Sequence, residues 1–145
     1  MRRLLTLLAC LALTLSISAL IPFGYSANAT SCLKITNWYP KQILSGSESG
    51  TGKLTLVSAA AVRSPDFKNV YFVAIKFKAA GVGSQVGVWA ISGKLPQKAG
   101  DLAGLTLSVN PLAQQFTVWP DGNRTQAQIA INDRSVGAAT KCLKK

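Results

Sequence analysis

Cys32 and Cys142 stand near the two ends of the segment expected to fold, so a bridge between them would tie both ends to one body. The third cysteine, Cys10, falls in residues 1–29, which read as a cleavable export signal. Arg2 and Arg3 are followed by an apolar stretch from Leu4 to Ile21, and Ala27-Asn28-Ala29 then precedes Thr30. Ala29 and Ala27 supply the small side chains that signal peptidase requires at the first and third positions before the cut. Residues 30–145 are therefore expected to form a single secreted or periplasmic domain with one possible cysteine pairing. In an oxidising compartment a disulfide is the default for such a pair. Closing a ring of about 100 residues stabilises the fold by roughly 4 to 5 kcal/mol on the chain-entropy argument.

Other uses of the same residues are weaker. Pro22 and Gly24 cut the apolar run near the minimum spanning length of about 18 residues, which disfavours a retained membrane anchor. Too few residues precede Cys10 for a lipoprotein signal, and Arg2-Arg3 is what any export signal carries, twin-arginine or ordinary. Two free thiols would be unusual in an exported chain. With no histidine in the sequence and the cysteines far apart, a zinc site is not expected.

Cleavage also alters the charge. The sequence holds sixteen Lys+Arg and five Asp+Glu, and removing Arg2 and Arg3 leaves fourteen basic residues against five acids, a formal charge of +9. Such a balance favours anionic partners and association with polyanions without specifying one. Teichoic acids, lipopolysaccharide, anionic lipid headgroups, extracellular DNA and acidic polysaccharides all fit, and so does a merely solvated surface.

The pattern along the chain is α+β. Cys32 to Ile43 shows neither a helical nor a strand period, and Ser45–Gly52 reads as a flexible polar loop. From Lys53 the alternation places Leu54, Leu56, Ser58, Ala60 and Val62 on one strand face, until Arg63-Ser64-Pro65-Asp66 ends it. Val70–Lys78 puts Tyr71, Val73, Ile75 and Phe77 on one face, with Lys76 and Lys78 marking the other as wet. A loop at Ala79–Ser84 leads to a return strand over Gln85–Ser92, an antiparallel hairpin. After a polar connection, Leu105–Val109 reads as a strand. Asn110-Pro111 then predicts a helix, with Leu112, Phe116 and Trp119 at helical spacing before Pro120-Asp121-Gly122. A short strand is expected through Ala127, Ile129 and Ile131. A final helix capped by Asn132 or Asp133 would follow, its stripe made by Val136, Ala139 and Leu143 and its end by late lysines that suit the helix dipole. The expected fold is an antiparallel sheet of about four or five strands with helices packed on one face.

Catalytic patterns are weak. Without histidine every imidazole-based scheme falls away, and Glu48, Asp66, Asp101, Asp121 and Asp133 are scattered, mostly in predicted loops. No Ser-x-x-Lys motif supports a serine–lysine pair. Gly50-Thr51-Gly52-Lys53 looks like the end of a phosphate-binding loop, yet Ser47 and Leu54 occupy positions that need glycine and Ser/Thr. Gly81-Val82-Gly83 lacks the third glycine of a dinucleotide fingerprint. Asn123-Arg124-Thr125 matches the glycosylation sequon, relevant only in a glycosylating host. No catalytic residue, metal site or cofactor is assigned.

The binding residues are chosen by patterning. Trp89 and Trp119 sit on expected strand and helix stripes and read as core. Trp38 and Tyr39, in Trp38-Tyr39-Pro40-Lys41, are the candidate exposed contact because their segment has no clear buried face. Lys76 and Lys78, joined by Lys94 and Lys98, are the candidate anion-binding patch.

In Gly87-Val88-Trp89-Ala90, and from Ser108-Val109-Asn110 through Ala113, Phe116 and Trp119 to Asp133 and Cys142-Leu143, the chain resembles small secreted bacterial proteins of unknown function. The resemblance covers the C-terminal half and implies an exported bacterial domain, with no catalytic residues to carry over. Those relatives are often acidic in the last helix, where this chain is basic. The sequence thus points to a secreted, non-enzymatic basic module for an anionic envelope component, lipid surface or nucleic acid. The alternative is a module that binds another exported protein, such as an inhibitor of an exported enzyme, through the Ser45–Gly52 or Ala79–Ser84 loop.

Overall fold

A computed structural model describes residues 31–144; the expected signal at 1–29, its cleavage point and Cys10 lie outside them. The described residues form an α+β fold around a four-stranded antiparallel sheet of order β1-β2-β3-β4. The strands are β1 (Thr55–Arg63), β2 (Val70–Ala79), β3 (Gly83–Ser92) and β4 (Thr106–Ser108), and the helices are α1 (Trp38–Ser45), α2 (Pro111–Phe116) and α3 (Arg134–Cys142). Among the described residues, no helix is long and apolar enough to cross a membrane.

Strand β2 is central, and its alternation divides the interior in two. Val73, Ile75 and Phe77 face a first core closed by Tyr39, Ile43 and Leu44 of α1 and by Ala113 and Phe116 of α2. Phe72 and Ala74 face a second core closed by Ala139 and Cys142 of α3, with Ile129 from the preceding loop. The helices are therefore shared between both faces of the sheet, where one face had been expected to carry them all. Both rows of β2 are apolar along most of its length, as a strand covered on two sides requires.

Strand β1 departs from simple alternation at Val57, where a bulge interrupts the register between Leu56 and Ser58. Leu56 lies opposite Phe77, Ala59 opposite Ile75 and Ala61 opposite Val73, so these three look into the first core. Ala60 and Val62 look into the second. One inserted residue thus moves Ala60 and Val62 to the face opposite Leu54 and Leu56, because the side-chain period of a strand is two.

Helix α1 occupies part of the segment without a clear period. Tyr39, Pro40, Ile43 and Leu44 make its buried stripe. Pro40 is the third helical residue, within the first turn, where amide N–H groups have no intrahelical acceptor, so proline costs the helix no bond there. The Ser45–Gly52 loop is pinned: Glu48 N donates to Phe116 O at 3.0 Å, and Val118 N donates to Gly46 O at 2.9 Å. That pairing pulls Thr117 into an extended conformation and ends α2 at Phe116, leaving Trp119 beyond the helix. The expected strand through 127–131 is a turn region. Ile129 alone of its three apolar positions is buried, and Gln128 adopts φ +48°.

Asn110 ties α2 to the sheet. Its Oδ1 accepts from Ala113 N at 3.1 Å, capping the helix, and from Val88 N at 2.9 Å, while Nδ2 donates to Val86 O at 3.0 Å. One side chain therefore caps a helix and stands in for a neighbouring strand along β3. Asn110→Ala is expected to lower the unfolding free energy by about 2 to 3 kcal/mol, the sum of a lost cap and two backbone groups left unpartnered. Urea denaturation would measure it. Asn110→Asp, which keeps the acceptor and loses the donor, should retain part of the stability.

Cys32 and Cys142 form a disulfide with a Cα–Cα distance of 5.6 Å. It joins the end of α3 to the segment that pairs with β1 through reciprocal hydrogen bonds between Leu33 and Ala61.

Candidate anion-binding site

The four lysines chosen from the sequence do not converge. Lys76 and Lys78 are exposed at the hairpin end of β2, on the face of the second core but outside α3, with Ser58, Val86, Thr55 and Ser84 as their cross-strand neighbours. Lys94 and Lys98 follow β3 at the opposite end of the sheet. Ser92, just before them, pairs with Val70, six residues from the Val86 that pairs with Lys76, or about 20 Å at the strand rise. Their loop also packs on the other face, where Leu95 rests against the first core. Lys98 is further offset by Asp101, whose carboxylate accepts from Gln97 N and Lys98 N at 2.8 and 3.1 Å. Those backbone bonds, and to a lesser degree the Lys98 charge, hold Asp101 below its ordinary pKa.

Tyr39 is not an exposed contact. It is 5% exposed, and its hydroxyl shares a 2.7 Å hydrogen bond with Thr106 Oγ1. Burial raises its pKa, and the bond to Thr106 offsets part of that. Trp38 is half-buried beside it. Trp89 is fully buried, with Nε1 donating to Thr117 Oγ1 at 3.2 Å. Trp119 lies over Gly46 and donates from Nε1 to Ile43 O at 2.9 Å, closing the end of α1. Neither indole forms a stacking platform.

The structure gathers different basic residues. Thr55 lies directly opposite Lys78, so the start of β1 and the end of β2 share one end of the sheet. Lys53 precedes Thr55 by two residues and lines a groove of about 820 Å³ with Lys41 and Leu44 of α1, Ser47 of the loop, and Leu54, Thr55 and Leu56. Gly52, at φ +68°, turns the loop into the strand that carries Lys53. The glycine-rich Gly50–Lys53 stretch therefore feeds a β-strand, where a phosphate-binding loop would open a helix. Lys41 and Lys53 are twelve residues apart and on different elements, so neither spacing nor periodicity could pair them. The hairpin register, which sets Lys78 opposite Thr55, was the one available signal.

No protein-family model, curated protein or solved structure matches the chain. The electrostatics of the described residues therefore carry the functional argument. Four of the five acids are engaged within the fold. Asp66 pairs with Arg134 at 2.6 Å, Asp121 accepts from Gln114 Nε2 and Asn123 N at 2.9 Å, Asp133 caps α3 through Ser135 N at 2.7 Å, and Asp101 closes its own loop. Both ion pairs among the described residues use arginine, Arg134 and Arg124. Every described lysine is exposed, and none forms an ion pair with a described carboxylate.

Proposed function

We propose that this chain is a secreted or periplasmic, non-enzymatic module that binds an anionic envelope component, lipid surface or nucleic acid through its lysines. The observation that supports this reading most is the division of labour among the charges. The aspartates are spent on caps, turns and one bidentate arginine pair, while the lysines stand in solvent and form no ion pair among the described residues, Lys98 alone having a carboxylate, that of Asp101, in its own loop. Lys53, Lys76 and Lys78 stand at one end of the sheet, Lys76 and Lys78 on the face of the second core, while Lys41 is on α1 over the first. The disulfide suits an oxidising compartment, and the export signal and the bacterial resemblance read from the sequence agree with it.

Binding of this kind falls steeply with added salt, because screening and counterion release act on exposed charges. Replacing Lys76 and Lys78 by glutamine should reduce the salt slope for a nucleic-acid polyanion by about 0.7 to 0.9 for each lysine in contact, without altering the melting temperature. An unchanged slope would remove these two from the binding surface.

The exposure of Val82 at the tip of the β2–β3 hairpin favours a second reading, a protein-interaction module such as an inhibitor of an exported enzyme. Capture of a secreted protein that persists at high salt and is abolished by Val82→Asp would support it over the first.

A further inference from the structure

Large apolar side chains stand exposed at six described positions, and two of them, Leu102 at 90% and Leu105 at 56%, belong to one run. Ala103 and Gly104 between them are exposed as well, so four consecutive apolar residues stand in solvent. Single exposed apolar residues are ordinary, whereas a continuous run calls for a surface to cover it. The loop that carries the run, 93–104 between β3 and β4, is braced against the fold. Pro96 is fully buried, Leu95 packs against the first core, and Thr36 Oγ1 donates to Gln97 O. At its base Ser92 N donates to Leu105 O at 3.0 Å, and Leu105 N donates to Ser92 Oγ at 2.8 Å. Thr106, the next residue, is buried, so strand alternation turns Leu105 outward.

Lysines flank the run. Lys94 and Leu102 line one hollow of about 470 Å³ across the loop. Lys98 opens the turn that closes at Asp101, beside Leu102, where Asp101 N donates to Lys98 O at 3.2 Å. Lys68 adjoins Asn69, whose carbonyl accepts from Gly93 N at 2.8 Å. All three lysines are exposed. Of the neighbouring acids, Asp101 is bound to Gln97 N and Lys98 N, Asp66 to Arg134, and Asp133, beside Arg134, to Ser135 N.

We infer that residues 102–105 form a wedge that enters the interface of an anionic bilayer, with Lys68, Lys94 and Lys98 on the surrounding phosphates. The inference rests on the anion-binding reading above and selects a lipid surface as the partner at this end of the sheet. Charge complementarity selects anionic headgroups, and the apolar run supplies what a soluble polyanion has no use for. A bilayer is an extended plane, so the lysines need not converge on one point. Their long stems let each ammonium stay at phosphate level while a neighbouring leucine lies deeper. A leucine 90% exposed needs a matching pocket on a protein partner and none among acyl chains.

Co-sedimentation with phosphatidylglycerol vesicles tests the wedge. Leu102→Ser/Leu105→Ser should weaken vesicle binding by about tenfold or more, through the lost apolar burial, and leave binding to oligodeoxythymidylate, a soluble polyanion, unchanged. Lys94→Gln/Lys98→Gln should weaken vesicle binding by about tenfold at low salt. Val82→Ser, at the hairpin tip on the opposite end of the sheet, should change nothing; a loss equal to that of the leucine pair would overturn the orientation. These side chains are exposed, so the melting temperature should be that of the parent. Insertion itself is read with Leu102→Trp, whose added fluorescence should be quenched by brominated acyl chains in phosphatidylglycerol vesicles and not in phosphatidylcholine vesicles. Absence of that quenching, or parental vesicle binding by the leucine pair, would overturn the wedge. A dimer that the leucine substitutions abolish would assign the run to a second copy and overturn it equally. Salt-sensitive binding of oligodeoxythymidylate that persists through such a failure sinks this inference alone, and failure of the parent to bind either vesicles or oligonucleotide sinks the functional reading as well.

Discussion

Replacing both cysteines is expected to lower the unfolding free energy by about 5 kcal/mol and the melting temperature by roughly 20 °C. The Cys32–Cys142 bridge spans 110 positions, so opening it frees almost the whole described chain in the unfolded state. It also loosens the native state at one place. Residues 31–36 meet the sheet edge only through the Leu33–Ala61 pair among their backbone hydrogen bonds, next to the bridge. An alanine pair is the better substitution, because Cys142 is 9% exposed and serine would bury a hydroxyl there. Guanidinium unfolding of the oxidised parent and the alanine pair measures the difference. A loss below about 1 kcal/mol would mean that the bridge constrains the unfolded chain far less than its span implies.

The second large effect is expected at Gly87. Trp89 sits two residues away on the same strand, and its indole folds back over the glycine. A Cβ at position 87 would lie 2.6 Å from Trp89 Cζ3 and closer still to Cη2. Gly87→Ala should therefore cost about 3 kcal/mol, at the upper end for overpacking, because the indole is fully buried and held by its bond to Thr117. Trp89→Leu should cost about 2 to 4 kcal/mol for the lost volume and hydrogen bond. With Trp89→Leu already present, Gly87→Ala should cost less than about 1 kcal/mol, because the ring it would strike is gone. Strict additivity of the two substitutions in thermal or urea unfolding would contradict this account of the Gly-Val-Trp-Ala strand.

Much of the fold could be read from residues whose effects are local. The alternating apolar rows of β2, the Asn110-Pro111 start of α2 and the Asp133 cap of α3 each act within a few positions of themselves. What could not be read depends on partners distant in sequence. The bulge at Val57 exists only in relation to β2, so period-two reasoning sends Ala60 and Val62 to the wrong side. Trp119 keeps helical spacing with Phe116, yet Val118 pairs with Gly46 and draws the chain out of the helix. Helix α1 escapes detection because Pro40 resembles a breaker unless the helix is known to begin at Trp38.

The candidate site follows the same division. Exposure of Lys76 and Lys78 was legible from β2 alone. Their separation from Lys94 and Lys98 follows from antiparallel register, which carries the end of β3 back to the start of β2. Tyr39 looked available because its segment lacked a period, yet it packs into a core built by strands and a helix later in the chain, and its hydroxyl meets Thr106, 67 positions away. Lys41 and Lys53 become neighbours of one groove only when the Ser45–Gly52 loop is pinned against Phe116 and Val118.

The claim at the centre of this account is that unpaired lysines bind an anionic partner. Vesicle co-sedimentation of the disulfide-bonded protein, with phosphatidylglycerol against phosphatidylcholine vesicles and salt raised from about 50 to about 200 mM, tests it most directly, because screening over that range weakens exposed charges. The account predicts binding to the anionic vesicles alone, lost progressively as salt rises. Equal binding to both vesicle types, or binding to the anionic vesicles that salt does not alter, would contradict it.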